Sequence, residues 1–504
     1  MSKVILANMG FLFQIAGSLT VLPILIGLFF NETRTFGPLF LACGSFLIIG
    51  FLMNALCERK DLDFKSSCTL ILLSFVLMPL IGAIPYCYDN PFNSTNVVDV
   101  FTNAYFESVS GFTTTGFSFF IDSSTLPRSF IMYRAVTELI GGVGIVFILL
   151  VFFQSRKAIE SWGSVIGIER INDKLKKNFF SIFLVYGLYI VVFTLLFYLF
   201  GIRDLIRSSS FVIDAITGGY SPSPSRLLDF LVFPMNIFVL MLMFLGSVHF
   251  GFHYHIFTLK LRKAFTEETI LYLTIIVAST IIIFLLSGIG LFDSLFHVVS
   301  MTSSTGFDYI NISKLDDSIK SIFILLTIIG GCAFSMAGGI KISRIITFTN
   351  SIKPTVRAIL LKEGVMQEEQ KDPGQDNLEY MSALVSITLF LATLFVFSIL
   401  FSTIGISFTN ALFEVASALT TNGFSTGATT LTMPLGYKWL LIIAMIIGRI
   451  EIIPILVAVS SYLEKLTNKN VMTTFSRIMK KKQESPLPET PSTMNKIQKI
   501  KETD

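Results

Sequence analysis

The sequence predicts an all-α integral membrane protein: an N-terminal transmembrane hairpin followed by four tandem repeats around one pseudo-fourfold pore. Each repeat is expected to run helix, short re-entrant pore helix, extended polar filter loop, helix. Three observations carry that prediction. Apolar stretches of about 18 residues or more, long enough to cross roughly 30 Å of hydrocarbon, recur along the whole chain. The composition is 53% hydrophobic and only 14% charged, with a mean hydropathy of +0.73, where soluble domains carry about 25% charged residues. Finally, FTNAYFESVSGFTTTGFS, from Phe101 to Ser118, returns as FTNALFEVASALTTNGFS from Phe408 to Ser425, at a constant offset of 307 with 12 of 18 positions identical.

About ten spans are expected, near 4–30, 38–56, 68–88, 129–153, 179–201, 229–257, 269–290, 320–349, 381–403 and 434–463. The first follows a single Lys3, is too long for a signal-peptide core and shows no A-x-A cleavage site, so it reads as a retained helix. The first two form the added hairpin, residues 1–60, and the repeats occupy 61–160, 161–263, 264–362 and 363–479. The tail 480–504, with Pro486, Pro488 and Pro491 among Ser, Lys and Glu, reads as disordered.

Glu58-Arg59-Lys60, the loop Arg156 to Lys177, the group Lys260, Arg262 and Lys263, and the segment Lys341 to Lys371 fall on alternate sides of consecutive spans. They share one face, which the positive-inside rule makes cytoplasmic, and both termini lie on it. The net charge of +4 reflects these topology signals. No long basic run with interleaved aromatics points to nucleic acid. Cys43, Cys57, Cys68, Cys87 and Cys332 are odd in number and lack C-x-x-C spacing, so neither a disulfide frame nor a zinc site is indicated. His249, His253 and His255 cluster at a span end without a Cys or paired carboxylate to complete a ligand set, which favours interfacial histidines over a metal site.

With the glycines as anchors, four tips align: Thr113, Thr114, Thr115, Gly116; Ile216, Thr217, Gly218, Gly219; Ser303, Ser304, Thr305, Gly306; and Thr420, Thr421, Asn422, Gly423. Each is followed by an aromatic, Phe117, Tyr220, Phe307 or Phe424, and preceded by a semi-polar stretch of about 12 to 15 residues, too short to cross the bilayer. Non-helical backbone at membrane depth is tolerated only where it is buried in protein or lines an aqueous cavity. Four such tips can share one cavity, with inward Thr and Gly carbonyls replacing the water shell of a dehydrated cation. Glycine supplies the positive φ or close backbone approach this needs. The hydroxyls of Thr113, Thr114, Ser303, Ser304, Thr420 and Thr421 can satisfy neighbouring backbone or the ion, and each aromatic is expected to wedge its tip against its own short helix. A single Thr-Thr-x-Gly would be an ordinary extracellular turn; four in equivalent places argue for a pore. Glu107 and Glu414 occupy equivalent places in repeats one and four, with His297 in the third and Ser210 in the second. They attract cations or bond the tip backbone; the second role is favoured.

This architecture resembles the Trk/Ktr/HKT superfamily of cation transporters over nearly the whole chain, and the added hairpin makes it most similar to the bacterial Trk-type (TrkH-like) membrane subunit. Further residues carry the likeness: Tyr133-Arg134 leading into Ile140-Gly141-Gly142-Val143-Gly144, Gly330-Gly331-Cys332-Ala333 with Gly338-Gly339-Ile340-Lys341, and Gly448-Arg449-Ile450-Glu451. The resemblance implies that Gly116, Gly219, Gly306 and Gly423 line a potassium-preferring filter, with K+ held at the filter carbonyls. It also implies that Gly330, Gly331, Gly338, Gly339 and Lys341 belong to an intramembrane gate loop, and that Arg449 projects below the filter. An arginine amid an apolar run is costly unless it faces a bundle interior or aqueous cavity; an ion pair with Glu451 or Glu138 is the alternative role. For the glycines of the gate loop, plain helix packing is the alternative. Three departures from the family pattern stand out: Phe334, Met336 and Ala337 stiffen the gate loop, Ile216 replaces a usual hydroxyl residue, and Glu138 stands within i,i+4 reach of Arg134, where a local ion pair is expected rather than a proton relay.

The resemblance further implies a homodimer in the bacterial inner membrane, in contact with lipid, and a cytoplasmic ring of nucleotide-binding regulatory subunits (TrkA-like). The exposed surfaces for that ring are Glu363 to Asn377 and Arg156 to Lys177. The chain itself is expected to bind no cofactor: it lacks a Walker A sequence, and Gly141-Gly142-Val143-Gly144 lies within a membrane helix. The expected function is potassium uptake, with K+ as the transported ion. A sodium-permeable member of the same fold is one alternative. An ion-coupled symporter of a small organic solute is another, although such folds carry inverted repeats and these four run in the same direction. No paired catalytic carboxylates or nucleophile-base set shares a membrane depth, which argues against an enzyme.

Overall fold

The computed structural model describes residues 3–57, 62–120, 122–152, 174–222, 227, 232–361 and 373–460. Glu58-Arg59-Lys60, most of the loop Arg156–Lys177, most of the segment Glu363–Asn377 and the tail 480–504 lie outside them. The described residues are helical and contain no strand.

Two long helices, α1 (Lys3–Phe29) and α2 (Thr33–Leu56), pack along each other and form the hairpin. Their outward residues, among them Leu22, Phe29, Phe40, Ile48 and Phe51, are exposed apolar side chains suited to a lipid surround. Glu32, between them, accepts hydrogen bonds from the backbone N–H groups of Arg128 and Ser129 at 2.8 and 2.9 Å. That carboxylate supplies acceptors to the otherwise unsatisfied first turn of the helix beginning at Arg128.

The first repeat contains α3 (Phe64–Gly82), α4 (Ile84–Asp89), the short α5 (Val97–Phe112) and α6 (Arg128–Phe152). The second contains α7 (Lys174–Phe200), the short α8 (Leu205–Thr217), α9 (Met235–Ser247) and α10 (Phe250–Phe257). After a single turn, α11 (Leu261–Ala264), the third contains α12 (Glu267–Ser287), the short α13 (Leu291–Thr302), α14 (Asp317–Ile329) and α15 (Ile342–Leu361). The fourth contains α16 (Pro373–Ser402), the short α17 (Phe408–Leu419), α18 (Leu435–Ile450) and α19 (Ile452–Ser460).

Three of the four short helices start where a side chain caps them, the one in repeat three following Gly290. Asn96 accepts from Val98 N–H, Asp204 from Ile206 and Arg207, and Ser407 from Asn410. From their second turn onward they are buried in the bundle.

Among the described residues, five helices are long and apolar enough to cross a membrane, or up to seven if each bent pair counts as one span. Of the four second helices expected to be straight spans, three are broken. The stretch 229–257 bends by 115° after Ser247, 434–463 bends by 96° at Glu451, and 320–349 is interrupted from 330 to 341. Only the first repeat keeps an unbroken second helix, α6. Both bends fall where no glycine or proline occupies the hinge itself, which is why hydropathy alone reads them as straight.

Candidate functional site: the ring of polar tips and the floor beneath it

The tips of repeats one, three and four share one backbone course. The short helix ends at a hydroxyl cap, Thr113, Ser303 or Thr420, and the next residue, Thr114, Ser304 or Thr421, takes φ of 53°, 56° or 49°. Gly116, Gly306 and Gly423 follow at φ 84°, 77° and 79°. Left-handed backbone at a β-branched residue is strained and persists only where the surroundings over-determine it. Here the N–H groups of Thr114, Thr115, Thr305, Thr421 and Asn422 all bond back to the last turn of their own helix. Their amides are spent on the helix end. The carbonyls of Thr114, Thr115, Gly116, Ser304, Gly306, Thr421, Asn422 and Gly423 accept no hydrogen bond from any described residue.

The glycines bring the four tips into a closed circuit. A Cβ on Gly116 would stand 2.0 Å from the Gly219 carbonyl oxygen, one on Gly218 2.4 Å from that of Ser304, one on Gly306 1.9 Å from that of Asn422, and one on Gly423 2.1 Å from that of Thr115. Each tip therefore abuts the backbone of the next, and the fourth returns to the first. Gly219 N–H donates to the Thr305 carbonyl at 3.4 Å, and Asn422 Nδ2 to the Met301 carbonyl at 2.7 Å, across two of these junctions.

The cap hydroxyls serve the helices. Thr113 Oγ1 donates to the Val109 carbonyl at 2.7 Å, Thr420 Oγ1 to Ala416 at 2.8 Å and Ser303 Oγ to Ser300 at 3.3 Å. Ser304 Oγ accepts from Gly338 N–H at 3.0 Å, whereas the buried hydroxyls of Thr114 and Thr421 have no protein partner.

The second tip departs from this course, and its alignment needs correction. Helix α8 continues through Thr217, whose Oγ1 donates to Ile213, as Thr113 and Thr420 do in their helices. Ile216 is the counterpart of Phe112 and Leu419: the carbonyls of these three residues pack on Gly246, Gly141 and Gly448 at Cβ distances of 2.3, 1.9 and 2.2 Å. Ile216 thus lies inside the helix with its carbonyl against α9, and no hydroxyl position is lost. Anchoring on the Gly-aromatic pair hides this because the second tip is one residue shorter.

The carboxylates of the short helices bond the chain just past the tips. Glu107 accepts from Ser118 Oγ at 3.0 Å and Phe119 N–H at 2.5 Å. Glu414 accepts from Ser425 Oγ at 2.8 Å and Thr426 N–H at 2.7 Å. His297 Nδ1 instead meets the Asp293 carbonyl at 2.8 Å, and Ser210 Oγ points to Met132 Sδ at 3.9 Å. The expected Arg134–Glu138 pair is not formed. Arg134 reaches across to Glu107 at 3.2 Å, while Glu138 accepts from Tyr220 N–H at 2.5 Å.

The aromatics do not all wedge against their own helix. Phe117 stands beside Phe106 of its own helix, but Phe307 stacks on Phe211 of α8 and Tyr220 Oη donates to the Glu107 carbonyl of α5.

Beneath the ring, α14 ends at Ile329 and α15 resumes at Ile342. The intervening segment turns through positive φ at Gly330, Phe334, Gly339 and Lys341. It closes on itself, with Ile340 N–H donating to the Ile328 carbonyl at 2.9 Å, and it pairs with the break of repeat two, Cys332 and Met336 N–H donating to Ser247 and Gly246 at 2.9 and 3.0 Å. Glu268 accepts from Ala333 N–H at 2.6 Å, and Lys341 Nζ donates to the Ala337 carbonyl. Gly331 and Gly338 pack on the backbone of Ser247 and Thr420.

Arg449 lies under the ring. Its Nη1 donates to the Met336 carbonyl at 3.1 Å, and its Nη2 to Gly141 and Gly142 at 3.1 and 3.3 Å. The guanidinium thus joins repeats four, three and one through carbonyls. The alternative pair with Glu451 or Glu138 is not formed; Glu451 pairs with Arg344. Sequence reasoning missed Gly246, Glu268 and Arg344. One part of this layer was within reach: the offset of 307 maps Gly141 onto Gly448. Among the described residues no cluster of His, Cys, Asp and Glu could hold a metal, and His253 instead lies between the hydroxyls of Tyr186 and Tyr189 at 3.3 and 3.2 Å.

Comparison with known proteins adds to this geometry. Residues 230–470 match the TrkH family, described as cation transport protein. An uncharacterized cation transporter of Methanocaldococcus jannaschii is 30% identical over 462 residues, covering 90% of this chain and 94% of that protein. The Trk system potassium uptake protein TrkG of Escherichia coli is 23% identical, with 91% and 98% covered, and TrkH of Salmonella typhimurium 23% identical, with 79% and 86% covered. Among solved structures, the potassium transporter TrkH from Vibrio parahaemolyticus superposes with a TM-score of 0.78 at 19% identity, covering 91% of this chain and 98% of that one. That likeness is one of fold.

Proposed function

The chain belongs to the TrkH family of cation transport proteins, a transporter and not an enzyme, and from that premise we propose that it is a potassium translocator whose filter is the ring of four tips. Dehydrated K+ passes down its electrochemical gradient between carbonyls of the residues around Gly116, Gly219, Gly306 and Gly423. The observation that carries this reading is the closed circuit of tip backbones, in which eight carbonyls of repeats one, three and four accept from no described residue while most of the amides beside them are spent on the helix ends. Oxygens so placed can stand in for a hydration shell without reorganising. The segment 330–341 and Arg449 form the gate below; a fixed positive charge there repels a passing cation, and its carbonyl contacts hold the segment in place. The protein resides in the cytoplasmic membrane with both termini on the cytoplasmic side, works as a homodimer and receives a TrkA-like nucleotide-binding ring.

The test is rubidium and sodium uptake into proteoliposomes, with a regulatory subunit supplied, comparing wild type with Gly116→Ser and Gly423→Ser. Selective rubidium uptake by the wild type, with sodium entry raised relative to rubidium in either variant, is the expected result. If neither ion moves, or if selectivity is untouched in both variants, the tips are not the filter and transport of an organic solute takes precedence. Equal entry of both ions in the wild type would identify a sodium-permeable member of the fold.

A further inference from the structure

The second tip is held differently from the first and fourth. Those two are braced by a carboxylate of their own short helix, Glu107 or Glu414. The short helix of repeat two offers only Ser210 at that place, and Ser210 turns to Met132. Every polar anchor of Tyr220, the aromatic of the second tip, comes instead from repeat one. Its N–H donates to Glu138 Oε1 at 2.5 Å, its hydroxyl to the Glu107 carbonyl at 2.5 Å, and its ring lies 3.6 Å from the Arg134 guanidinium. Glu138, fully buried on α6, has one more partner on α8, Thr217 Oγ1 at 3.5 Å.

Glycine at position 219 follows from the same carboxylate. A Cβ there would stand 2.1 Å from the Glu138 carboxyl carbon, whereas Cβ atoms at Gly116, Gly306 and Gly423 would meet carbonyl groups of the neighbouring tip. Gly219 is therefore fitted to Glu138, and its own carbonyl oxygen is the one that abuts Gly116. A short hydrogen bond to a buried backbone N–H is a strong positional restraint, because an unmet buried donor is costly. Its loss frees the neighbouring carbonyls to move.

We propose that Glu138 is a positioning residue for ion discrimination: through Tyr220 N–H it fixes the second wall of the ring, so that this wall's selectivity is set by a side chain of repeat one. The inference rests on the filter reading above.

The experiment measures the ratio of sodium to rubidium uptake in proteoliposomes for wild type, Glu138→Ala, Glu138→Asp and Glu138→Gln. Removing the acceptor in the Ala variant is expected to raise the ratio about tenfold, the equivalent of one buried hydrogen bond. The Asp variant, whose carboxylate is withdrawn by one methylene, shifts the ratio in the same direction by less. It carries the test if the Ala variant does not reach the membrane. The Gln variant, which keeps an acceptor oxygen for Tyr220 N–H, recovers most of the discrimination. A purely structural role would lower both fluxes together and leave the ratio unchanged; that result overturns the proposal, as does a Gln variant no more selective than the Ala or Asp variant. Loss of selectivity in the wild type itself would instead count against the filter reading.

Discussion

The upper and lower halves of this bundle follow different rules. Above, repeats one, three and four repeat one tip geometry closely, and the fourth junction of the ring is of the same kind as the first three. Below, the second helices diverge: one is unbroken, two bend by 115° and 96°, and one opens into the segment 330–341. On the filter reading proposed above, walls around one cation need matched carbonyls, and only the second, one residue shorter, departs from the shared course. On the same reading the floor needs only one obstruction, the role proposed for a single arginine bonded to carbonyls of two other repeats.

If the upper half depends on equal walls, its glycines carry the largest penalties. Gly306→Ala is expected to reduce rubidium uptake about a hundredfold and leave the residue poorly selective, because neighbouring backbone must shift at a cost upward of about 3 kcal/mol. Gly142→Ala, one layer lower, places its Cβ 3.3 Å from the Met336 sulfur, which can yield. Uptake there should fall less than about threefold. Equal losses at the two sites would erase the distinction between the halves.

Arg449→Ala probes the floor alone. Rubidium uptake should rise about tenfold, as a fixed positive charge leaves the passage, with the sodium-to-rubidium ratio unchanged. A changed ratio would mean that the floor takes part in discrimination.

Smaller effects are expected where one bond to the segment 330–341 is removed. Ser304→Ala frees Gly338 N–H and Glu268→Ala frees Ala333 N–H. Each should raise uptake about threefold, in keeping with the net worth of one hydrogen bond. Unchanged uptake in both would show that other contacts hold the segment.

The upper half was the more legible in sequence, for a physical reason. Polar residues repeated at one depth in an apolar chain have few explanations, and the fourfold Gly-aromatic pairs made the tips visible without any contact being known. Arg449 stood out by its cost in an apolar run. What the sequence hid were choices between partners. The i,i+4 rule assigns Glu138 to Arg134 because it considers one helix alone, whereas α5 offers Glu107 and the second tip offers Tyr220 N–H. Ile216 looked like a lost ligand because alignment cannot show that α8 runs one residue further before the chain turns. The bends after Ser247 and at Glu451 depend on neighbours that hydropathy does not weigh.

The least severe expectation concerns the hairpin. Glu32→Ala removes the acceptor at the start of α6 and should cost about 1 kcal/mol, lowering the thermal midpoint by roughly 2 °C in detergent without altering selectivity. A larger loss would show that the hairpin braces the ring as well as the helix.

Glu32 precedes the amides it caps by 96 and 97 residues. During synthesis, then, the hairpin has already left the ribosome when Arg128 and Ser129 emerge, and the acceptors for their amides are waiting. The one second helix that remains unbroken is also the one whose first turn is finished by an earlier part of the chain, so order of appearance is written into the wall on which the other repeats close.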